Sequence, residues 1–209
     1  MRYSRKLVAL LLTVTFILGV TSCAKSEITR ETFISGIESY GIEKTDDIGS
    51  LSGILMRRGG KDGYYVAKDK DDAQKASNII LDRFDESQDF KATDFVLAAL
   101  SEKGSDGKHY QSFAVYLALE NDKDAKAVYD NLVDSYGNKE DGKTGTKSNV
   151  TYCIDSTVSA AGSNKIGTGV YLNGSKIILV RSLSATDDDF KFVDKICDKC
   201  GLISPSKAG

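Results

Sequence analysis

The chain of 209 residues has no tryptophan, one proline, one histidine and two methionines. Each scarcity removes a class of chemistry. Serine- and cysteine-type triads need a histidine base held by a carboxylate, and the lone candidate, His109, falls in the loop "SDGKHYQS", where a solvated residue is expected. Cysteine is also scarce, at four. The single C-x-x-C, Cys197 and Cys200, has no second C-x-x-C or H-x-x-x-H to complete a zinc ligand set. The glycines of "RGGKDG" and "AAGSNKIGTG" lack G-x-G-x-x-G or G-x-x-x-x-G-K spacing between a strand and a helix, so no phosphate cradle is indicated and turn roles are expected. No basic patch offsets the net charge of −2, which argues against nucleic acid. No cofactor follows from any of these patterns.

What the sequence does carry begins at residue 1. Arg2, Arg5 and Lys6 precede the apolar run "LVALLLTVTFILGV" (7–20). That run is too short for a membrane span, which needs about 20 apolar residues, but it suits the core of a signal peptide. It leads into "VTSC", ending at Cys23. These four residues resemble the lipobox of bacterial lipoproteins. The resemblance implies cleavage after Ser22, a diacylglycerol thioether on Cys23 and palmitate-type acylation. It also implies a cell-membrane address on the extracytoplasmic side, since two or more acyl chains hold a protein stably where one does not. Removing residues 1–22 takes away three positive charges and leaves the mature chain at −5. Residues 23–26 are then a lipidated N-terminus with a short tether.

Three stretches align on an acidic turn: "YYVAKDKDDAQKASNIILDRF" (64–84), "YLALENDKDAKAVYDNLVDSY" (116–136) and "IILVRSLSATDDDFKFVDKIC" (177–197). Asp72, Asp124 and Asp189 fall in register, and apolar residues follow at helical spacing: Ala73, Ala76, Ile80; Ala125, Val128, Leu132; Phe190, Val193, Cys197. Each β-rich run has another before it across a turn. "SGILMR" (52–57) is expected to pair with "YYVAKD", "DFVLAAL" with "HYQSFAVYLALE", and Asn173-Gly174 marks a two-residue hairpin. Phe113, Val115, Leu117 and Leu119 alternate with Ala114, Tyr116 and Ala118, as in a strand with one face on a core. The expected fold is α+β: an antiparallel sheet of repeated β-hairpin–helix units with helices on one face. A leading helix over 27–42 presents Ile28, Phe33, Ile37 and Tyr40, and "TYCIDSTVSA" (151–160) adds a strand. A single domain is expected over 27–203, with a flexible loop at 137–149, which has no apolar residue, and a disordered tail at 204–209.

The acidic clusters "DKDD" (69–72), "NDKD" (121–124) and "TDDD" (186–189) could suggest calcium, but none has the ligand offsets, central glycine and terminal glutamate of an EF-hand. Their place before three helices is what capping predicts. With Cys23 lipidated, Cys153, Cys197 and Cys200 remain. An extracytoplasmic address permits one disulfide, Cys153 with Cys197 or Cys200, contributing about 2–4 kcal/mol; burial as small hydrophobes is the equal alternative. A redox C-x-x-C sits at a helix N-terminus, whereas this pair ends a helix before Gly201. In the repeat alignment Cys197 takes a core-facing position and Cys200 a flanking, exposed one.

Beyond the lipobox, the layout resembles small lipoproteins of Gram-positive bacteria, a resemblance of pattern that brings no activity with it. No catalytic or metal constellation is indicated. The expected role is a non-enzymatic binding or interaction module, tethered to the membrane and meeting an envelope or extracellular protein or peptide. The alternative is an extracytoplasmic hydrolase whose paired carboxylates meet only in three dimensions.

Overall fold

The computed structural model describes residues 28–55, 60–81, 90–103, 109–137, 142–158, 165–184 and 190–208. The expected signal sequence, Cys23 and the expected tether lie outside them, as do Asp189 and the cluster at 186–189. Among the described residues no helix is long and apolar enough to cross a membrane.

Helix α1 (Arg30–Glu38) begins at Thr29, whose hydroxyl accepts from the Thr32 amide while the Thr32 hydroxyl accepts from the Thr29 amide. This reciprocal cap satisfies two amide donors that the first turn would otherwise leave unpaired. The chain leaves the helix through Gly41 at φ +92°, a left-handed conformation that favours glycine. Helix α2 (Ile48–Leu55) and strand β1 (Gly63–Val66) follow, then helix α3 (Lys70–Leu81), strands β2 (Ala92–Lys103) and β3 (His109–Leu119), and helix α4 (Asp122–Tyr136). Strands β4 (Lys143–Lys147), β5 (Val150–Val158), β6 (Lys165–Asn173) and β7 (Lys176–Ser184) lead to helix α5 (Lys191–Lys199) and a 3-10 turn (Pro205–Lys207).

The seven strands form one sheet in the order β1-β2-β3-β7-β6-β5-β4, with every neighbouring pair antiparallel. The α+β class is therefore as expected. Asn173 and Gly174 close the β6–β7 hairpin, with Gly174 at φ +57°. His109, expected in a loop, is the first residue of β3 and pairs with Lys103.

Helices cover both faces of the sheet, not one. The first core joins Leu51 and Ile54 of α2, Ala73 and Ile80 of α3, and Val128 and Leu132 of α4 to Phe95, Leu97, Phe113, Val115 and Leu179. The second joins Phe33 and Ile37 of α1 and Phe192, Val193 and Ile196 of α5 to Val96, Ala98, Ala114, Tyr116, Ile178 and Val180. The physical reason lies in β2: Phe95 to Leu100 are all buried, so side chains pointing both ways must be covered. At about 25 cal/mol per Å2 of apolar surface removed from water, two such cores supply most of the drive to fold.

Five further expectations are corrected. Residues 52–55 of the "SGILMR" stretch end α2 rather than forming a strand. Among the described residues the repeat is seen only in part. β2–β3–α4 and β6–β7–α5 are both hairpin–helix units, but α4 packs on the first face and α5 on the second. The loop expected at 137–149 contains β4, paired to β5 through a two-residue turn in which Ser148 (φ 51°) and Asn149 (φ 66°) are both left-handed, as a tight hairpin turn requires. The tail expected to be disordered folds back. Ser204 and Pro205 are buried, and the Ser204 and Ser206 hydroxyls both donate to Asp194 Oδ1, the latter at 2.7 Å. Gly167 and Gly169 occupy β6 rather than a turn, because a Cβ at Gly167 would meet Phe190 Cε1 at 2.9 Å and one at Gly169 would run into the Tyr171 hydroxyl.

Candidate functional site

The acidic clusters within the described residues act as caps. Asp69 Oδ1 accepts from the Asp72 amide at 2.9 Å, and Asn121 Oδ1 accepts from the Asp124 amide at 2.9 Å. The cap thus lies three residues before the aspartates aligned in the sequence. Asp72 turns to the sheet instead, where its carboxylate accepts from the Tyr65 hydroxyl (2.6 Å) and the Lys68 amide (2.8 Å). Those two hydrogen bonds hold the Asp72 carboxyl below its ordinary value.

The three described cysteines are free thiols, and all are buried. Cys153 belongs to the first core and Cys197 and Cys200 to the second, so the sheet separates the partners of the expected disulfide, which is not formed. Cys197 takes the core position expected of it. Cys200, expected at an exposed flank, is 2% exposed. The chain turns back at Gly201 (φ +66°), where the Leu202 amide donates to the Cys197 carbonyl and the Gly201 amide to Asp198, a closing pattern that satisfies two orphan carbonyls. Tyr171 of β6 lies over Cys197 and Thr32 of α1 over Cys200. Tyr171 Oη donates to the Ile203 carbonyl at 2.5 Å and lies 3.6 Å from Cys197 Sγ, while Cys200 Sγ donates to Thr32 Oγ1 at 3.9 Å. Burial pushes the Cys197 thiol well up and the Cys200 thiol up to about 11. A thiolate nucleophile is disfavoured at both.

Charged groups collect where α1 meets β2 and β3. Arg30 Nη1 lies 3.3 Å from Asp94 Oδ1, and Arg30 Nη2 donates to the Ala67 carbonyl at 3.3 Å. Burial raises the Asp94 carboxyl despite Arg30, and the charge of Glu31 adds to the rise. Glu31 moves the other way: its own backbone amide and the Thr29 hydroxyl lower it. Buried Tyr116 completes the group, its phenol raised by desolvation and then by Asp94 and Glu31. Two neighbouring carboxyls shifted apart is the pattern acid–base pairs use. Here, though, the Arg30 bridge also fastens α1 to the sheet.

The two sheet edges differ. The outer side of β1 is covered: the Thr45 amide donates to the Tyr64 carbonyl (2.8 Å), and the Tyr64 amide donates to the Glu43 carbonyl (3.0 Å). The Lys44–Tyr64 bridge is parallel. Strand β4, at the other end of the sheet, pairs only with β5 among the described residues. Lys143, Thr144, Thr146 and Lys147 are exposed and Gly145 is half-buried. Next to this edge, on the second face, Lys147, Val150, Tyr152, Leu202 and Ile203 line a small surface pocket with room for about one water. Nothing in the sequence marked β4, since all five of its residues are polar or glycine.

No protein-family model matches the chain, and no curated protein matches it. Among solved structures it is similar to the extracellular domain of PknH from Mycobacterium tuberculosis, with 13% identity and a TM-score of 0.37 over 83% of this chain and 97% of that one.

Proposed function

We propose that the protein is a lipid-anchored extracytoplasmic module that works by binding rather than by catalysis. The observation that carries the anchor is the leader: Arg2, Arg5 and Lys6, the apolar run 7–20 and "VTSC" ending at Cys23 stand in the order a lipobox signal requires. Cleavage after Ser22 makes Cys23 the first mature residue and places the folded body a few residues from the membrane. Support for a binding role comes from the architecture. Both sheet faces carry helices and one edge is capped, which among the described residues leaves the β4 edge as the surface suited to a partner. The test is growth with labelled fatty acid. Label should enter the wild-type protein and be absent from Cys23→Ser; label retained in the variant defeats the proposal.

A second reading, a hydrolase using paired carboxylates, draws on Asp94 and Glu31, whose proton affinities are shifted in opposite directions. It predicts turnover of a chromogenic glycoside or ester panel that Asp94→Asn abolishes at a temperature where the variant remains folded by circular dichroism. A wild-type protein inert to the panel removes it.

A further inference from the structure

We infer that the outer edge of β4 takes an extended acidic peptide segment of a partner protein as an eighth strand. This rests on the interaction-module reading and names its surface and ligand class. In an antiparallel ladder alternate residues exchange both backbone hydrogen bonds with the neighbour. Because Lys147 and Val150 flank the two-residue turn, Lys143, Gly145 and Lys147 bond inward to β5. Thr144 and Thr146 therefore turn their amide and carbonyl groups outward, two donors and two acceptors in a row. Strand addition of this kind draws affinity from the main chain and selectivity from side chains on one face.

The side chains define the ligand. On the second face β4 presents Lys143, Gly145 and Lys147, which pair with Ile154, Tyr152 and Val150. Gly145 leaves a gap that Tyr152 leans across, its hydroxyl 2.7 Å from where a Cβ would stand. An added strand with an acidic residue opposite Lys147 and a small aliphatic residue opposite Gly145 matches this relief. The pocket beside Lys147 accepts a methyl-sized end. A second copy of the chain is a poor occupant. Overlapping two "KTGTK" strands antiparallel sets Lys143 against Lys147 twice, and like charges directly opposite are destabilising.

The experiment uses the full mature chain in detergent, a synthetic peptide with the core ETVTE, and a charge-reversed peptide with the core KTVTK, with amide exchange followed by NMR. The ETVTE peptide should slow exchange of the Thr144 and Thr146 amides at least tenfold, and the KTVTK peptide should not. Thr146→Pro removes an outward donor without touching the β5 ladder, a change edge strands tolerate, and should weaken binding at least tenfold at unchanged Tm. Lys147→Glu should do the same, whereas Lys126→Glu on α4 should have no effect. Equal binding of both peptides, full binding by Thr146→Pro, or protection of these amides by self-association alone overturns the inference. Failure here is distinct from failure of the anchor, because the fatty-acid label does not depend on β4.

Discussion

Gly36→Ala is the sharpest probe of the second layer of helices. Gly36 lies in α1 directly under α5, and a Cβ there would sit 2.8 Å from Ile196 Cα and 3.3 Å from Ile196 Cγ1. In an ordinary helix interior, alanine in place of glycine stabilises by about 0.5–1 kcal/mol through lower backbone entropy in the unfolded chain. At this position the nearest atom is backbone on a packed helix, so α1 and α5 must separate by several tenths of an ångström. Overpacking of that kind costs about 1–3 kcal/mol, and looser packing around Phe33, Ile37 and Phe192 adds to it. The net expectation is a destabilisation of about 1–2 kcal/mol, or a Tm lower by about 2–8 °C for a domain of this size. Gly49→Ala in α2 is the matched control, since its Cβ would meet only Asp47 Oδ1, at an ordinary 3.4 Å. It should be neutral or raise Tm slightly. Thermal unfolding followed by circular dichroism reads both. Equal stabilisation by the two substitutions would refute the packing of α5 on α1, and with it the two-faced architecture.

Tyr171→Phe removes the donor to the Ile203 carbonyl and leaves that acceptor unpaired. It should cost about 1–3 kcal/mol and speed proteolysis of the C-terminal segment first; an unchanged Tm and cleavage pattern would count against the fold-back of residues 201–208. Alkaline titration should lower stability between pH 10 and about 12. Burial, then the Glu38 and Asp72 hydrogen bonds, raise Tyr64 and Tyr65 from 10.0 to about 12. The unfolded chain therefore loses these protons first, and the stability they contribute, complete below pH 10, is lost as pH rises through the folded values. Urea midpoints independent of pH across that window would contradict the Tyr64–Glu38 and Tyr65–Asp72 contacts. The cysteines should resist alkylation at pH 8 in the native state, all three being buried, and react at once in denaturant. Rapid native labelling of Cys200 would contradict its burial against α1.

Much of the fold can be read from the chain because its signals are local. Asn173-Gly174 sets one hairpin, and the alternation along Phe113–Leu119 sets β3 and its first-face residues. The helical stripe ending at Leu132 gives α4. The same alternation hides the second layer. Ala114, Tyr116 and Ala118 pass for a solvated face when read alone, and only the unbroken run Phe95–Leu100 hints that both sides are covered. "SGILMR" illustrates the ambiguity of short apolar runs, which suit a strand or a helix until packing chooses. Strand β4 leaves no mark because its stability comes from backbone pairing and the Ser148-Asn149 turn rather than from apolar side chains. The burial of Cys200 is not legible because its sulfur meets Thr32 of α1, 168 residues away in the chain.

The anchor is most directly tested by mass spectrometry of the N-terminal peptide of protein extracted from membranes with detergent. Residues 1–22 should be absent, with Cys23 the first residue, carrying a diacylglycerol and its fatty acyl chains. An unmodified Cys23, or a chain cut at another position, would contradict the lipid-anchored reading.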